Sequence, residues 1–89
     1  MKFVVYEVKR IRREEKDDYV DAFLYADYAD AVVKFNELVE AEKQVDWIEE
    51  ALANKTCELF DTIDYWGVYV DNLFSDYVSE VTIETREVF

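Results

Sequence analysis

The chain contains no histidine, no proline, a single glycine (Gly67) and a single cysteine (Cys57). Without histidine there is no imidazole to serve as general base, and Cys57 falls in a strand-like pattern with no partner base. One cysteine allows no internal disulfide, and neither a CxxC pair nor a histidine exists from which to assemble a zinc site. No glycine-rich loop is present to cradle a phosphate. Aspartate pairs such as Asp61 with Asp64, or Asp71 with Asp76, offer hard oxygen atoms, but the alternating acids and central glycine of a calcium loop are missing. The expectation is therefore a protein that is not an enzyme and holds no metal or cofactor. Apolar runs stay at a few residues, far short of the ~20 that span a bilayer. The opening MKFVVYEVKRIRRE lacks the apolar core and cleavage site of a signal peptide. A cytoplasmic setting is expected, with no membrane partner.

What the chain has in excess is acid and aromatic rings. Of its 89 residues, 22 are acidic and 10 basic, a formal net charge of −12, and 17% are aromatic. The hydrophobic fraction of 52% excludes the composition of a disordered chain, and the length suits one domain over residues 1–89. The charges are unevenly placed. Residues 1–16 hold six bases (Lys2, Lys9, Arg10, Arg12, Arg13, Lys16) against three acids, net +3, and the remainder holds four bases against nineteen acids, net −15. Such a field repels nucleic acid and anionic membrane and attracts basic protein surfaces.

The organising segment is DYADAVVKFNELVEAE, Asp27 to Glu42. Tyr28, Ala31, Val32, Phe35, Leu38 and Val39 recur at helical spacing and form one apolar stripe, with Asp30, Lys34, Glu37 and Glu40 on the other side. Asp27 suits the N-cap, where its carboxylate accepts from free backbone N–H groups. A shorter helix is expected from a cap at Asp46 through Ala53, with Glu49 and Glu50 in its first turn. Because no proline or glycine separates the two, one helix bent near Lys43 is an open alternative.

Strands flank the helices. Lys2 to Arg13 alternates β-formers, its first half expected to be buried on both faces and its second half, KRIRRE, cationic apart from Ile11 and expected to project into water. Glu14 to Asp18 is a charged connection. Tyr19 to Ala26 turns Tyr19, Phe23 and Tyr25 one way and Val20, Ala22, Leu24 and Ala26 the other, with Asp21 interrupting the aromatic side. Thr56 to Tyr65 forms a third strand, Gly67 a tight turn, Val68 to Asp71 a fourth strand, Asn72 to Asp76 a connection with room for a helical turn, and Tyr77 to Val88 a last strand. The order ββααβββ predicts an α+β domain: an antiparallel sheet of four to five strands with one long and one short helix on one face.

The candidate surface pairs carboxylates with rings. Asp18-Tyr19, Asp27-Tyr28, Asp64-Tyr65 and Asp76-Tyr77 are four Asp-Tyr dipeptides, and exposed tyrosines make strong contact anchors. Carboxylates two apart on a strand lie ~7 Å from one another, roughly commensurate with the ~3.4 Å phosphate rise of a DNA strand. Asp76, Glu80 and Glu84 are expected to form an acidic row on one face of the last strand. Asp30, Glu37, Glu40, Asp46, Glu49 and Glu50 extend negative charge along the helices. With Tyr65, Asp64 and Tyr77 these are the expected partner-binding residues.

The MKFVVYEV opening, the acidic and tyrosine-rich body and the helix YADAVVKFNELVEAEK resemble, in composition and element order, the small proteins of bacterial viruses that include acidic anti-CRISPR inhibitors and other DNA mimics. That resemblance implies a phage-encoded inhibitor acting in the host cytoplasm, which occupies the nucleic-acid channel of a basic bacterial defence protein or complex such as a CRISPR-Cas effector. It implies a monomer or homodimer that does not bind nucleic acid itself. The basic Lys9 to Arg13 segment departs from a pure phosphate mimic. A second reading is a structural or adaptor protein that self-associates or docks to another protein, its charge serving solubility. A third, an RNA-binding module using the basic hairpin, is opposed by the −12 background.

Overall fold

The computed structural model describes residues 3–14, 17–71 and 76–88, with Asp71 and Asp76 described in backbone only. Seven elements follow the expected order: β1 (Phe3–Arg13), β2 (Asp18–Tyr25), α1 (Tyr28–Glu42), α2 (Asp46–Asn54), β3 (Glu58–Asp61), β4 (Tyr65–Asp71) and β5 (Asp76–Val88). The strands make one antiparallel sheet in the order β2-β1-β5-β4-β3, and both helices lie on one face of it. The class is α+β. The slab measures 50 × 22 × 16 Å, long because β1 and β5 pair along their whole length.

Most of the α1 stripe forms as its spacing dictates, although Tyr28 in the first turn is exposed and Val32 half-buried. Ala31, Phe35, Leu38 and Val39 are buried against Val8, Trp66, Val68 and Val81 of the sheet, and Ile48 of α2 completes the core. Asp27 caps α1 by accepting from the Ala29 N–H at 2.9 Å. The two helices are separate: after Glu42 the chain tightens, with Gln44 N–H donating to Ala41 and Val45 N–H to Glu42. The α2 N-cap is Val45, which has no side-chain cap bond, so Asp46 is the first helical residue rather than the expected cap. Lys55 closes α2 in the left-handed conformation at φ 57°.

Three expectations are corrected. Gly67 is not in a turn: it sits within β4, paired with Phe60 and Glu80, at a φ that is not positive. The turn lies earlier, at Thr62–Tyr65, where the Thr62 hydroxyl accepts from the Tyr65 N–H at 3.0 Å and donates to Asp64 at 3.1 Å. A threonine side chain closes that turn, which removes the need for glycine and shortens β3 from the expected Thr56–Tyr65 to four residues.

The third correction concerns β1. The end expected to be buried, Phe3 and Val4, is exposed, because β2 and β4 stop short of it and the β1–β5 ribbon runs on alone. Two cations of its other end, Arg10 and Arg12, expected in water, lie under the C-terminal turn of α1, while Arg13 is exposed. The hairpin tip between Glu14 and Asp17 and a helical turn between Asn72 and Asp76 fall outside the described residues.

Candidate functional site

The acidic character of the surface depends on where the bases go. Arg10 donates from Nε to Asp21 on β2 at 3.0 Å and sits 3.6 Å from Glu42 Oε1. Arg12 donates from Nη1 to Glu42 Oε2 at 3.3 Å, and its guanidinium lies 5.0 Å from the Tyr19 ring centroid. Glu42 is 1% exposed. It continues the α1 stripe as residue i+7 from Phe35, a position that reads as core, and it places a carboxylate where β1 places two guanidinium groups. Burial raises its pKa above the ordinary glutamate value, opposed by Arg12 and Arg10. Burial prevails because the pairing is loose: Glu42 Oε1 and Arg12 Nε have no hydrogen-bond partner, and a desolvated charge with imperfect bonds recovers only part of its hydration.

Other bases are engaged too. Arg13 lies 3.5 Å from Asp18, Lys9 3.7 Å from Glu7, and Arg86 donates to Glu7 at 2.9 Å. The basic segment that interrupts a phosphate-like surface is thus answered by acids of the same sheet and of α1. Glu14, expected in a solvated connection, is half-buried and accepts from the Trp47 indole N–H at 2.8 Å.

The twelve expected contact residues divide between three places. Asp30, Glu37 and Glu40 lie exposed on the outward side of α1, and Asp46, Glu49 and Glu50 lie exposed on α2. Along α1 the rise of ~1.5 Å per residue spaces Asp30 and Glu37 by ~10 Å and Glu37 and Glu40 by ~4.5 Å. Lys34 and Lys43 approach Glu37 and Glu40 at 3.8 and 3.4 Å. Such exposed pairs are weak and screened by salt, and Lys34 also lies 4.3 Å over the Phe23 ring. A shallow groove lined by Val33, Asn36, Glu37, Glu40, Ala41 and Gln44 runs along this side.

A second group is turned to the opposite face. Glu80 and Glu84 share the sheet face that no helix covers, as the register with Ile11 and Glu7 requires. Glu84 lies 4.0 Å from Arg86. Glu80 accepts from the Tyr69 hydroxyl at 2.5 Å, and the Tyr65 and Tyr69 hydroxyls are hydrogen-bonded to each other. Burial, followed by the bond to Glu80, pushes the Tyr69 pKa well up. Tyr65 is therefore a member of an internal chain. Asp64 is exposed in the β3–β4 turn, and the side chain of Asp76 is outside the described residues.

Tyr77 belongs to a third place. Its ring packs against Trp47 with centroids 5.3 Å apart, at the edge of a cleft of about 320 Å³ that Glu50, Ala51, Asn54, Thr56 and Val70 complete. Glu80 and Glu84 consequently do not join the helical carboxylates: the sheet separates them.

Sequence reasoning missed Glu42 and Asp21 as the partners of the basic segment. The signal existed, in an acid on the apolar stripe and an acid interrupting an aromatic strand face opposite arginines. Among the described residues no group of three or more histidine, cysteine or acidic side chains is placed to hold a metal, and no helix is long and apolar enough to cross a membrane. The Cys57 thiol is half-buried, and burial raises its pKa, away from the thiolate a nucleophile needs. Comparison with family models, with curated proteins and with solved structures gives no match.

Proposed function

We propose that this protein is a non-enzymatic inhibitor of the phage anti-CRISPR or DNA-mimic kind, which binds the basic nucleic-acid-binding surface of a bacterial defence protein through the anionic exterior of its helical layer. One observation carries the reading: Asp30, Glu37, Glu40, Asp46, Glu49 and Glu50 all point outward from α1 and α2, while Arg10 and Arg12 are folded inward onto Glu42 and Asp21. The two arginines of the basic segment are on the other side of α1, and the lysines of the helical exterior, Lys34 and Lys43, make only weak, salt-screened pairs with Glu37 and Glu40. The contact set is accordingly narrower than the twelve residues of the sequence reading, and the Glu80, Glu84 and Tyr65 positions are outside it.

The test is capture from nuclease-treated bacterial lysate with the full chain, beside a Glu37→Lys/Glu40→Lys/Glu49→Lys/Glu50→Lys variant. Retention of nucleic-acid-binding proteins that duplex DNA displaces, that elute as salt rises, and that the variant fails to hold is the expected result. A complex unmoved at about 1 M salt, where charges are screened beyond ~3 Å, or equal retention by the variant, overturns charge replacement.

A further inference from the structure

The cleft of about 320 Å³ lies between Trp47, Glu50 and Asn54 of α2, the Thr56 that follows them, and the paired Val70 and Tyr77 of β4 and β5. Tyr77 shares its strand parity with Ser79 and Val81, both buried on the helix-covered face. The cleft therefore belongs to the side of the sheet that carries the outward carboxylates of α1 and α2.

One part of its lining is aromatic and held in place. The Trp47 and Tyr77 ring centroids are 5.3 Å apart with planes inclined at 55°, which makes a corner rather than a stack. The indole N–H of Trp47, the only donor on that ring, is engaged by Glu14 at 2.8 Å. What Trp47 has left to offer is ring face and carbon edge. The other part is rich in acceptors: the Glu50 carboxylate, the Asn54 amide oxygen and the Thr56 hydroxyl belong to exposed residues whose side chains have no partner among the described residues. No basic side chain among the described residues lines the cleft. The bases of the sheet and of α1, by contrast, each already face an acid.

These features select a class of ligand. An anion would meet Glu50 on a chain of net charge −12. An apolar group would strip water from Glu50, Asn54 and Thr56 and return no hydrogen bond. A cation is attracted by the rings and by the carboxylate alike. Lysine presents a compact, strongly hydrated point charge, whereas the guanidinium of arginine is a plane that stacks on rings and carries five donors in a fixed fork, enough for several acceptors at once. The volume stands near the lower end of the ~300–1,000 Å³ found for ligand pockets, which suits one side-chain head group rather than a larger molecule.

We propose that this cleft receives an arginine side chain of a partner protein, its guanidinium lying in the corner of Trp47 and Tyr77 and donating to Glu50 and to Asn54 or Thr56. The proposal rests on the inhibitor reading for the source of that arginine. Glu50 belongs both to the helical carboxylates and to the cleft, so a surface that attracts a basic protein by charge gains one defined anchoring point. Tryptophan, tyrosine and arginine are the residues that most often dominate such contacts.

The measurement is an NMR titration of the isotope-labelled full chain with N-acetyl-arginine methylamide, followed at the Trp47 indole N–H, with the buried Trp66 as internal control. A saturable shift at Trp47 with a midpoint of about 10 mM, and none at Trp66, is expected. The citrulline analogue, which keeps the shape and loses the charge, is expected to bind about tenfold more weakly, and the lysine analogue about threefold. Glu50→Gln, at an exposed position, is expected to raise the midpoint about fivefold and Asn54→Ala about twofold, both with unchanged circular dichroism spectra. Glu37→Gln/Glu40→Gln is expected to leave it where it was. No saturable shift, citrulline or lysine binding as well as arginine, or an equal loss in Glu37→Gln/Glu40→Gln overturns the proposal. Because the titration contains no partner, arginine binding beside an empty lysate capture would sink the inhibitor reading alone, and a failed titration beside a successful capture would sink the cleft alone.

Discussion

The two faces of this one sheet treat the same residue types in opposite ways. On the covered face Val68 is 0% exposed and two arginines are drawn under α1 by a buried glutamate; on the open face Val20 is 64% exposed and Glu58 meets solvent. What differs is not composition but which face the single helical layer reaches. A chain of this size builds one layer of helices, and every strand position of one parity then faces that layer while every position of the other faces away from it. The net charge of −12 is likewise a poor guide to any one surface. It is concentrated on the helical exterior, compensated under α1, and nearly balanced on the open face.

The largest effect is expected at Glu42. Replacing it with alanine leaves Arg10 and Arg12 half-buried without their shared carboxylate, and removing one side of a buried ion cluster should cost about 3 kcal/mol in urea unfolding. The pH dependence has a definite sign. Because the folded-state pKa of Glu42 is raised above the ordinary glutamate value near 4.5, the folded protein binds its proton more readily than the unfolded chain does. Glu42's own contribution is therefore most favourable below that value and is lost as pH rises through the folded pKa. The stability of wild type relative to Glu42→Gln should increase on acidification from neutral pH and level off below about 4.5. A difference that shrinks on acidification would mean that the arginines, not burial, govern the site.

A paired substitution then sharpens the contrast between faces. Val68→Ala should lose about 2 kcal/mol, for two buried methyl groups and the cavity they leave. Val20→Ala should change stability by less than about 0.5 kcal/mol at a dilution where the chain is monomeric. Equal losses would mean that the open face is covered within one chain.

A smaller effect, about 1 kcal/mol, is expected for Gly67→Ala. A Cβ there would lie 3.0 Å from the Tyr69 ring and 3.1 Å from the Tyr65 ring, and those rings are held by their paired hydroxyls, by Glu80 and by Phe60. Tyr69→Leu in the same background should remove most of the penalty, read as a double-mutant cycle. A penalty that persists without the ring would assign the glycine to backbone rather than packing.

Element order, the class of the fold and the stripe of α1 were determined by the sequence itself, because periodicity and capping are local: Phe35, Leu38 and Val39 recur every three to four residues whatever surrounds them, and Asp27 reaches its own helix. The sign of the chain's field was equally fixed by counting. Only the tertiary structure decided that Gly67 lies in a strand, that Arg10 and Arg12 turn inward, and that Glu80 and Glu84 stand on the opposite side of the sheet from Glu37 and Glu40. Each of those depends on a partner distant along the chain, the rings across Gly67, Glu42 on a helix some thirty residues from Arg12, and the choice of face that α1 covers. Local pattern specifies which side chains share a face, and long-range packing specifies which face meets water.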